Sequence, residues 1–321
     1  MDAFRYSIKS RTFCIENVPI PEPQEKQILV KVEAAGLCAS DHHIISHHGD
    51  LFLTVDDKIT LGHEVAGTVV KLGPGVTSVQ IGARIANALK SHPTKEAVPS
   101  TAIGLGYDGG YAEFVIMHEE FAIPIPDNVT FAEAAVAADS ITTAYHAVVI
   151  EGRVNKGCTV AVIGLGGLGL NAVAVAALQG AKVFGVDISN ARFETAIAMG
   201  AKACATSLSD FNQVQFDVIL DFAGMGKTTA DAIEAVSLGG VVVIVGLGVD
   251  TTSISTRTLI LKNATLRGSI GGSISEFREV LALISEKQIK PHVKEVTFAS
   301  IKENLMRIGE GKVTGRLYCS P

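Results

Sequence analysis

The run Gly164-Leu-Gly-Gly-Leu-Gly169 follows the apolar, β-branched stretch Val160 to Ile163 and precedes the helix-compatible stretch Leu170 to Leu178. Glycines at this spacing suit a dinucleotide. Gly164 lets the chain turn sharply off a strand, Gly166 lets backbone N–H groups approach a pyrophosphate, and Gly169 allows close packing of helix on sheet. Gly167 and Leu168 lie in the same turn, and the phosphates would sit at the positive end of the helix that starts there. Asp187 closes the next strand-like run, where a carboxylate can accept from both hydroxyls of an adenosine ribose and repel a 2′-phosphate. Ile188 and Arg192 follow it, without the arginine pair that would welcome that phosphate. The expected cofactor is therefore NAD(H). Without its context the same triplet would be an ordinary loop, and the apolar length from Thr159 to Val186 would suit a membrane span. Six glycines and an embedded strand argue against a span, which needs one continuous helix.

Upstream, Cys38, His63, Glu64 and Asp139 are residues of metal-ligating type. Singly, a cysteine is usually a small core hydrophobe and a histidine a hydrogen-bonded polar residue. A thiolate, an imidazole and a carboxylate brought together would hold Zn²⁺.

The elements that must position these groups fall into two textures. At 321 residues the chain is long enough for two domains, at roughly 150 residues each. The first third carries short strand-like runs at Ile28 to Val32, Ala66 to Lys71 and Tyr111 to Met117, separated by glycine and proline turns. From about Phe131, alanine-rich helices alternate with apolar strands at Val160 to Ile163, Val183 to Val186, Val218 to Leu220 and Val241 to Val245, which implies a parallel sheet covered on both faces. After about Ile270 come amphipathic helices near Glu276 to Ser285 and Ser300 to Ile308, then a strand at Arg316 to Cys319. The net charge of −6 is spread without a basic block, which excludes nucleic acid and anionic membranes as partners. The N-terminal residues lack a signal-like apolar core, and five scattered cysteines without a Cys-x-x-Cys pair write no disulfide framework. A reducing cytoplasm is the expected compartment.

Gly36-Leu-Cys-Ala-Ser-Asp-His-His43, Leu61-Gly-His-Glu-Val-Ala-Gly-Thr-Val69, Gly73-Pro-Gly-Val-Thr-Ser-Val79, Gly82-Ala-Arg84 and the glycine turn, in this order, resemble the zinc-type alcohol dehydrogenases of the medium-chain dehydrogenase/reductase superfamily. The resemblance covers essentially the whole chain. It implies an α/β protein: a GroES-like, mostly β catalytic domain from residues 1–130 and 271–321, and a Rossmann domain with a doubly wound parallel sheet from 131–270. It makes Cys38 and His63 ligands of one catalytic zinc. Where many members place a third-ligand cysteine six residues ahead of a tyrosine, this chain has Asp139 ahead of Tyr145, workable as a carboxylate ligand or else merely a helix-start residue. Glu64 matches the acid that lies behind the metal, and Asp41 the partner that would fix the His63 tautomer. Ser40 and His43 stand where the family keeps its proton relay, while His42, His47 and His48 read as solvated. Ile85 to Lys95 lacks the four cysteines of a structural zinc, so none is expected. Ala39 replaces an arginine that pairs with the cofactor pyrophosphate in some members, leaving that work to Arg316; Thr143 and Gly246 join the cofactor-binding set.

The implied activity is hydride transfer between NAD(H) and a small-to-medium alcohol or ketone, in a pocket drawn from Ser46 to Leu53 and Asn87 to Leu89. Two alternatives are a zinc-free quinone or enoyl-type reductase and a non-enzymatic NAD(H) sensor. The expected assembly is a homodimer, with a tetramer as the alternative, because Val241 to Val245 and Leu259 to Leu261 lie where relatives join their sheets edge to edge.

Overall fold

A computed structural model describes residues 1–47, 53–55 and 57–321. The chain divides into two compact units, one formed by Met1–Thr142 with Gly272–Pro321 and the other by Thr143–Gly271. This division falls later than the change in sequence texture at Phe131. The helix Phe131–Val136 packs its buried Ala132, Ala134, Ala135 and Val136 on strands of the first unit.

The first unit is built on a seven-stranded sheet and a three-stranded one. Its longest strand, Gln27–Leu37, is buried along most of its length. It pairs antiparallel with Glu64–Leu72, Phe114–His118 and Arg316–Cys319. The core gathers Ile28, Val30, Leu37 and Val65 from these strands, Phe4 from the strand Asp2–Ser7, Leu61 from the segment before Glu64–Leu72, and Leu305 from the helix Ile301–Gly309. Antiparallel pairing has a geometric consequence. The end of Gln27–Leu37 lies beside the beginning of Glu64–Leu72, with Gly36 opposite Glu64, and beside the beginning of Arg316–Cys319, with Leu37 opposite Leu317. Three chain segments that are distant in sequence therefore deliver Cys38, His63 and Arg316 to one end of the sheet.

The second unit holds a six-stranded parallel sheet in the order Ala201–Ala205, Lys182–Val186, Thr159–Ile163, Phe216–Asp221, Val236–Ile244, Thr265–Gly268. That is the dinucleotide-binding strand order, and Thr159–Ile163 occupies the place where the order reverses. The helix Gly167–Leu178 is apolar all round but for the buried Asn171, as suits a helix buried between layers. Val241 to Ile244 pairs on both sides, so the edge is Thr265–Gly268 and not the Val241 to Val245 run expected there. No helix among the described residues is long and apolar enough to cross a membrane.

Candidate functional site

Cys38 follows the end of Gln27–Leu37 and precedes the helix Ala39–His47. His63 precedes Glu64–Leu72, after Gly62, which adopts φ +95. Asp139 arrives from outside the sheet. The helix Phe131–Val136 begins with a reciprocal cap between Thr130 and Glu133, and the helical path then widens into a π turn over Ala137–Ile141. Asp139 sits in that turn, in the middle of a helical stretch, so it is not the helix-start residue that its type also allowed. Single π turns of this kind are frequent at functional sites, where the extra residue re-aims a side chain. Ser140 and Thr142 donate their hydroxyls back to Val136 O and Ala137 O at 2.7 Å each and hold the turn.

The four ligand-type residues meet: one donor atom from each of Cys38, His63, Glu64 and Asp139 lies within 4.8 Å of the others. Asp139 Oδ2 is 3.4 Å from Cys38 Sγ and 3.5 Å from His63 Nε2. Two donors at tetrahedral angles on one zinc, at bond lengths of about 2.0–2.3 Å, stand about 3.3–3.6 Å apart. The observed spacing fits that geometry. Cys38 and His63 are buried at 2% and 3% exposure, so the donors are shielded from bulk water.

The surroundings favour a cation. Burial works against protonation of His63, but the Asp41 carboxylate, Cys38 and Asp139 outweigh it and hold the imidazole well above its ordinary range. Glu64 is fully buried; burial pushes its carboxyl up to about 7, with the Arg316 guanidinium pulling the other way. Arg316 donates through Nε to Glu64 Oε2 at 3.3 Å, through a terminal nitrogen to Glu64 Oε1, and to Asp139 Oδ2 at 3.5 Å. Within its unit the guanidinium is engaged by two carboxylates. Gly36 makes room for the pair, since a Cβ there would come within 1.9 Å of Glu64 Oε2.

Asp41 is fully buried behind His63, its Oδ1 3.3 Å from His63 Nδ1 at an angle short of a hydrogen bond. Ser40 Oγ lies 3.5 Å from Cys38 Sγ. His43 shares the helix with Ser40, three positions on, and is half-buried. His42 is half-buried too, its Nε2 3.0 Å from Ser46 Oγ, and so is not a simply solvated ring. Of the expected pocket residues, Leu53 and Leu89 pack against the first unit's core. Residues 48–52, His48 among them, lie outside the described residues.

In the second unit, Gly164 adopts φ +86 and the helix begins at Gly167. A Cβ on Gly169 would come within 1.8 Å of Gly164 O, whereas one on Gly166 would meet nothing within 4 Å. The first glycine serves the packing of helix on turn and the second leaves open space, which is the cradle a pyrophosphate needs. Leu168 lies in the helix's first turn, and Ile188, after the strand, is 95% exposed. Asp187 Oδ2 accepts from Leu165 N–H at 2.8 Å and from Arg192 at 3.4 Å, and Oδ1 accepts from Ser189 N–H at 2.9 Å. A carboxylate has about four acceptor positions, so a ribose gripped through both hydroxyls would have to displace one of these three donors, of which Arg192 is the most distant. Thr143 is buried at the start of this unit. Gly246 N–H donates to Asp221 O at 3.1 Å, and Gly246 packs so close to Gly224 that a Cβ on the latter would meet Gly246 O at 1.9 Å. Asp221, which no sequence motif marks, is a buried carboxylate that accepts from Ala223 N–H, Gly224 N–H, Thr228 and Thr229 and so fixes the loop beside the glycine turn.

Two family models match the chain: one described as an alcohol dehydrogenase GroES-like domain over residues 24–127, the other as a zinc-binding dehydrogenase over residues 167–286. An alcohol dehydrogenase of Geobacillus stearothermophilus is 30% identical over 321 residues, covering 94% of this chain and 94% of the relative. The NADP-dependent alcohol dehydrogenase 6 of Saccharomyces cerevisiae is 30% identical over 326 residues, covering 92% of this chain and 89% of the relative. Among solved structures, the acetophenone reductase of Geotrichum candidum in complex with NAD is similar at a TM-score of 0.91 and 28% identity, over 100% of this chain and 97% of that one.

Proposed function

This chain belongs to the zinc-type alcohol dehydrogenases of the medium-chain dehydrogenase/reductase superfamily, and from that premise we propose that Cys38, His63 and Asp139 hold its catalytic zinc while the turn from Gly164 to Gly169 holds NAD(H). The observation that carries the metal assignment is the convergence of Asp139 Oδ2 on Cys38 Sγ and His63 Nε2 at 3.4 and 3.5 Å. When bound, zinc supplies a Lewis acid for an alcohol or carbonyl oxygen, and the nicotinamide takes or gives the hydride. Around that exchange the chain manages the proton. Ser40, beside Cys38, takes the proton from an alcohol or returns it to a reduced carbonyl, and His43 passes it toward solvent. The Asp41 carboxylate, 3.3 Å from His63 Nδ1, draws the ring toward it by charge, and Arg316 balances the Glu64 charge behind the donors.

The yeast relative's name specifies NADP and the Geotrichum structure holds NAD, so the relatives do not agree on the cofactor. Asp187 decides for NAD(H) here, because a carboxylate at the ribose repels a 2′-phosphate. The substrate is a small-to-medium secondary alcohol or the matching ketone, a class to which the acetophenone of the Geotrichum enzyme belongs. Two copies associate through the edge strand Thr265–Gly268 and the apolar Ile260 and Leu261, which are 75% and 67% exposed.

Elemental analysis of the purified chain, joined to a rate of NADH-dependent reduction of an aryl methyl ketone, tests the proposal. One zinc per chain, with loss of turnover on chelation and its return with zinc, is the expected result. Turnover by a zinc-free chain at an undiminished rate would overturn it.

A further inference from the structure

Tyr111 is one of the largest fully buried side chains, and it lies on neither of the segments that supply Cys38 and His63. The residues before it strap the chain that leads to His63. Gly109 N–H donates to Thr60 O at 2.7 Å, Gly110 N–H to Gly62 O at 2.7 Å, and Tyr111 N–H to Leu61 O at 3.0 Å. Gly62 is fitted onto the Tyr111 ring, where a Cβ would come within 2.7 Å of ring carbon Cδ1.

The phenol then reaches the second segment. Its O–H stands 2.8 Å from Asp41 Oδ2 and 3.1 Å from Gly36 O. With a single proton to give, the phenol donates to the charged and closer carboxylate. Asp41 Oδ2 is further held by Cys38 N–H at 3.3 Å, which leaves Oδ1 facing His63 Nδ1 at 3.3 Å. A fully buried carboxylate without enough donors turns to find others. The phenol is what keeps Asp41 aimed at the imidazole. Burial, and then the Asp41 charge, hold the phenol well above its ordinary range, so it stays a donor.

We propose that Tyr111 is a positioning residue for the metal: it fixes Asp41, which fixes the His63 ring, while its backbone and ring fix the approach to His63. The proposal rests on the assignment of Cys38, His63 and Asp139 as zinc ligands. Zinc affinity is then sensitive to one hydroxyl that touches no ligand. Removing the outer partner of a ligand histidine typically costs 10–100-fold in metal affinity, and one step further out we expect about 10-fold.

Chelator competition on wild type, Tyr111→Phe, Asp41→Asn and the double variant gives four zinc dissociation constants, with the melting temperature of each stripped chain as control. The expected result is weaker zinc binding for Tyr111→Phe, by about 10-fold, and no further loss when it is added to Asp41→Asn. A Tyr111→Phe chain that binds zinc as tightly as wild type, or that weakens binding equally with and without Asp41, overturns the role even if the stripped chain melts lower. A wild-type chain that takes up no zinc overturns the ligand assignment and this role with it.

Discussion

Alanine at Gly166 and at Gly169 should separate the two tasks of the glycine turn. At Gly169 the new Cβ would lie 1.8 Å from Gly164 O, against a normal carbon-to-oxygen contact of about 3.3 Å, so the helix start must retreat by about 1.5 Å. Overpacking of this kind costs about 1–3 kcal/mol of stability, and it also carries the first N–H groups of the helix away from the phosphates. At Gly166 the new Cβ meets nothing of the chain within 4 Å, and the backbone there has a negative φ of −73 that alanine adopts freely. Stability should hold, or rise by about 0.4–1 kcal/mol through a less flexible unfolded chain. The methyl group instead fills the space left for the pyrophosphate. Losing one charged hydrogen bond of about 1.5–3 kcal/mol weakens NADH binding by about 10–100-fold. Thermal melting of the cofactor-free variants and NADH fluorescence titration measure the two effects. Gly169→Ala should lose on both and Gly166→Ala on binding alone. A Gly166→Ala chain that binds NADH within twofold of wild type, or a Gly169→Ala chain that melts at the wild-type temperature, would refute the division of labour.

Three other outcomes follow from the same structure. Glu119 accepts from Thr77 N–H, Ser78 N–H and the Ser78 hydroxyl, which hold its carboxyl down at about 2 from an ordinary 4.5. Its stabilising effect is complete above pH 4.5 and lost as pH falls toward 2, so Glu119→Gln should melt lower than wild type at pH 7 and the gap should close in acid. Asp187→Ser removes the repulsion of a 2′-phosphate and frees Arg192, so the kcat/KM ratio of NAD(H) over NADP(H) should fall; an unchanged ratio would detach Asp187 from cofactor choice. Asp in place of both Ile260 and Leu261 should convert a dimer into monomers by light scattering, and a wild-type monomer at micromolar concentration would dismiss the edge-to-edge assembly.

Local pattern carried the sequence reading a long way, and distance stopped it. The β-branched runs at Val160 and Val183 announce buried parallel strands because both their faces are covered, and the glycines between them have few other uses. Arg316 was recognisable as important, but its partner Glu64 lies 252 residues away, and only the antiparallel register around Leu37 brings the two together. Asp139 stood out by its place ahead of Tyr145, while the π turn that aims it at Cys38, 101 residues distant, has no local signature in an alanine-rich helix. Tyr111 looked like the first residue of a strand; the segment before it is instead spent on hydrogen bonds to Thr60, Leu61 and Gly62, and the strand starts at Phe114.

The zinc content of Asp139→Ala separates a metal ligand from a merely structural carboxylate. A carboxylate donates less charge than the thiolate many relatives place there, so the metal it holds is a stronger Lewis acid but more easily lost. With only Cys38 and His63 left of three ligands, the variant should emerge from purification without stoichiometric zinc and without measurable carbonyl reduction, whereas Asp139→Cys should retain the metal. An alanine variant that carries one zinc per chain and turns over near the wild-type rate would show that Asp139 is not a ligand.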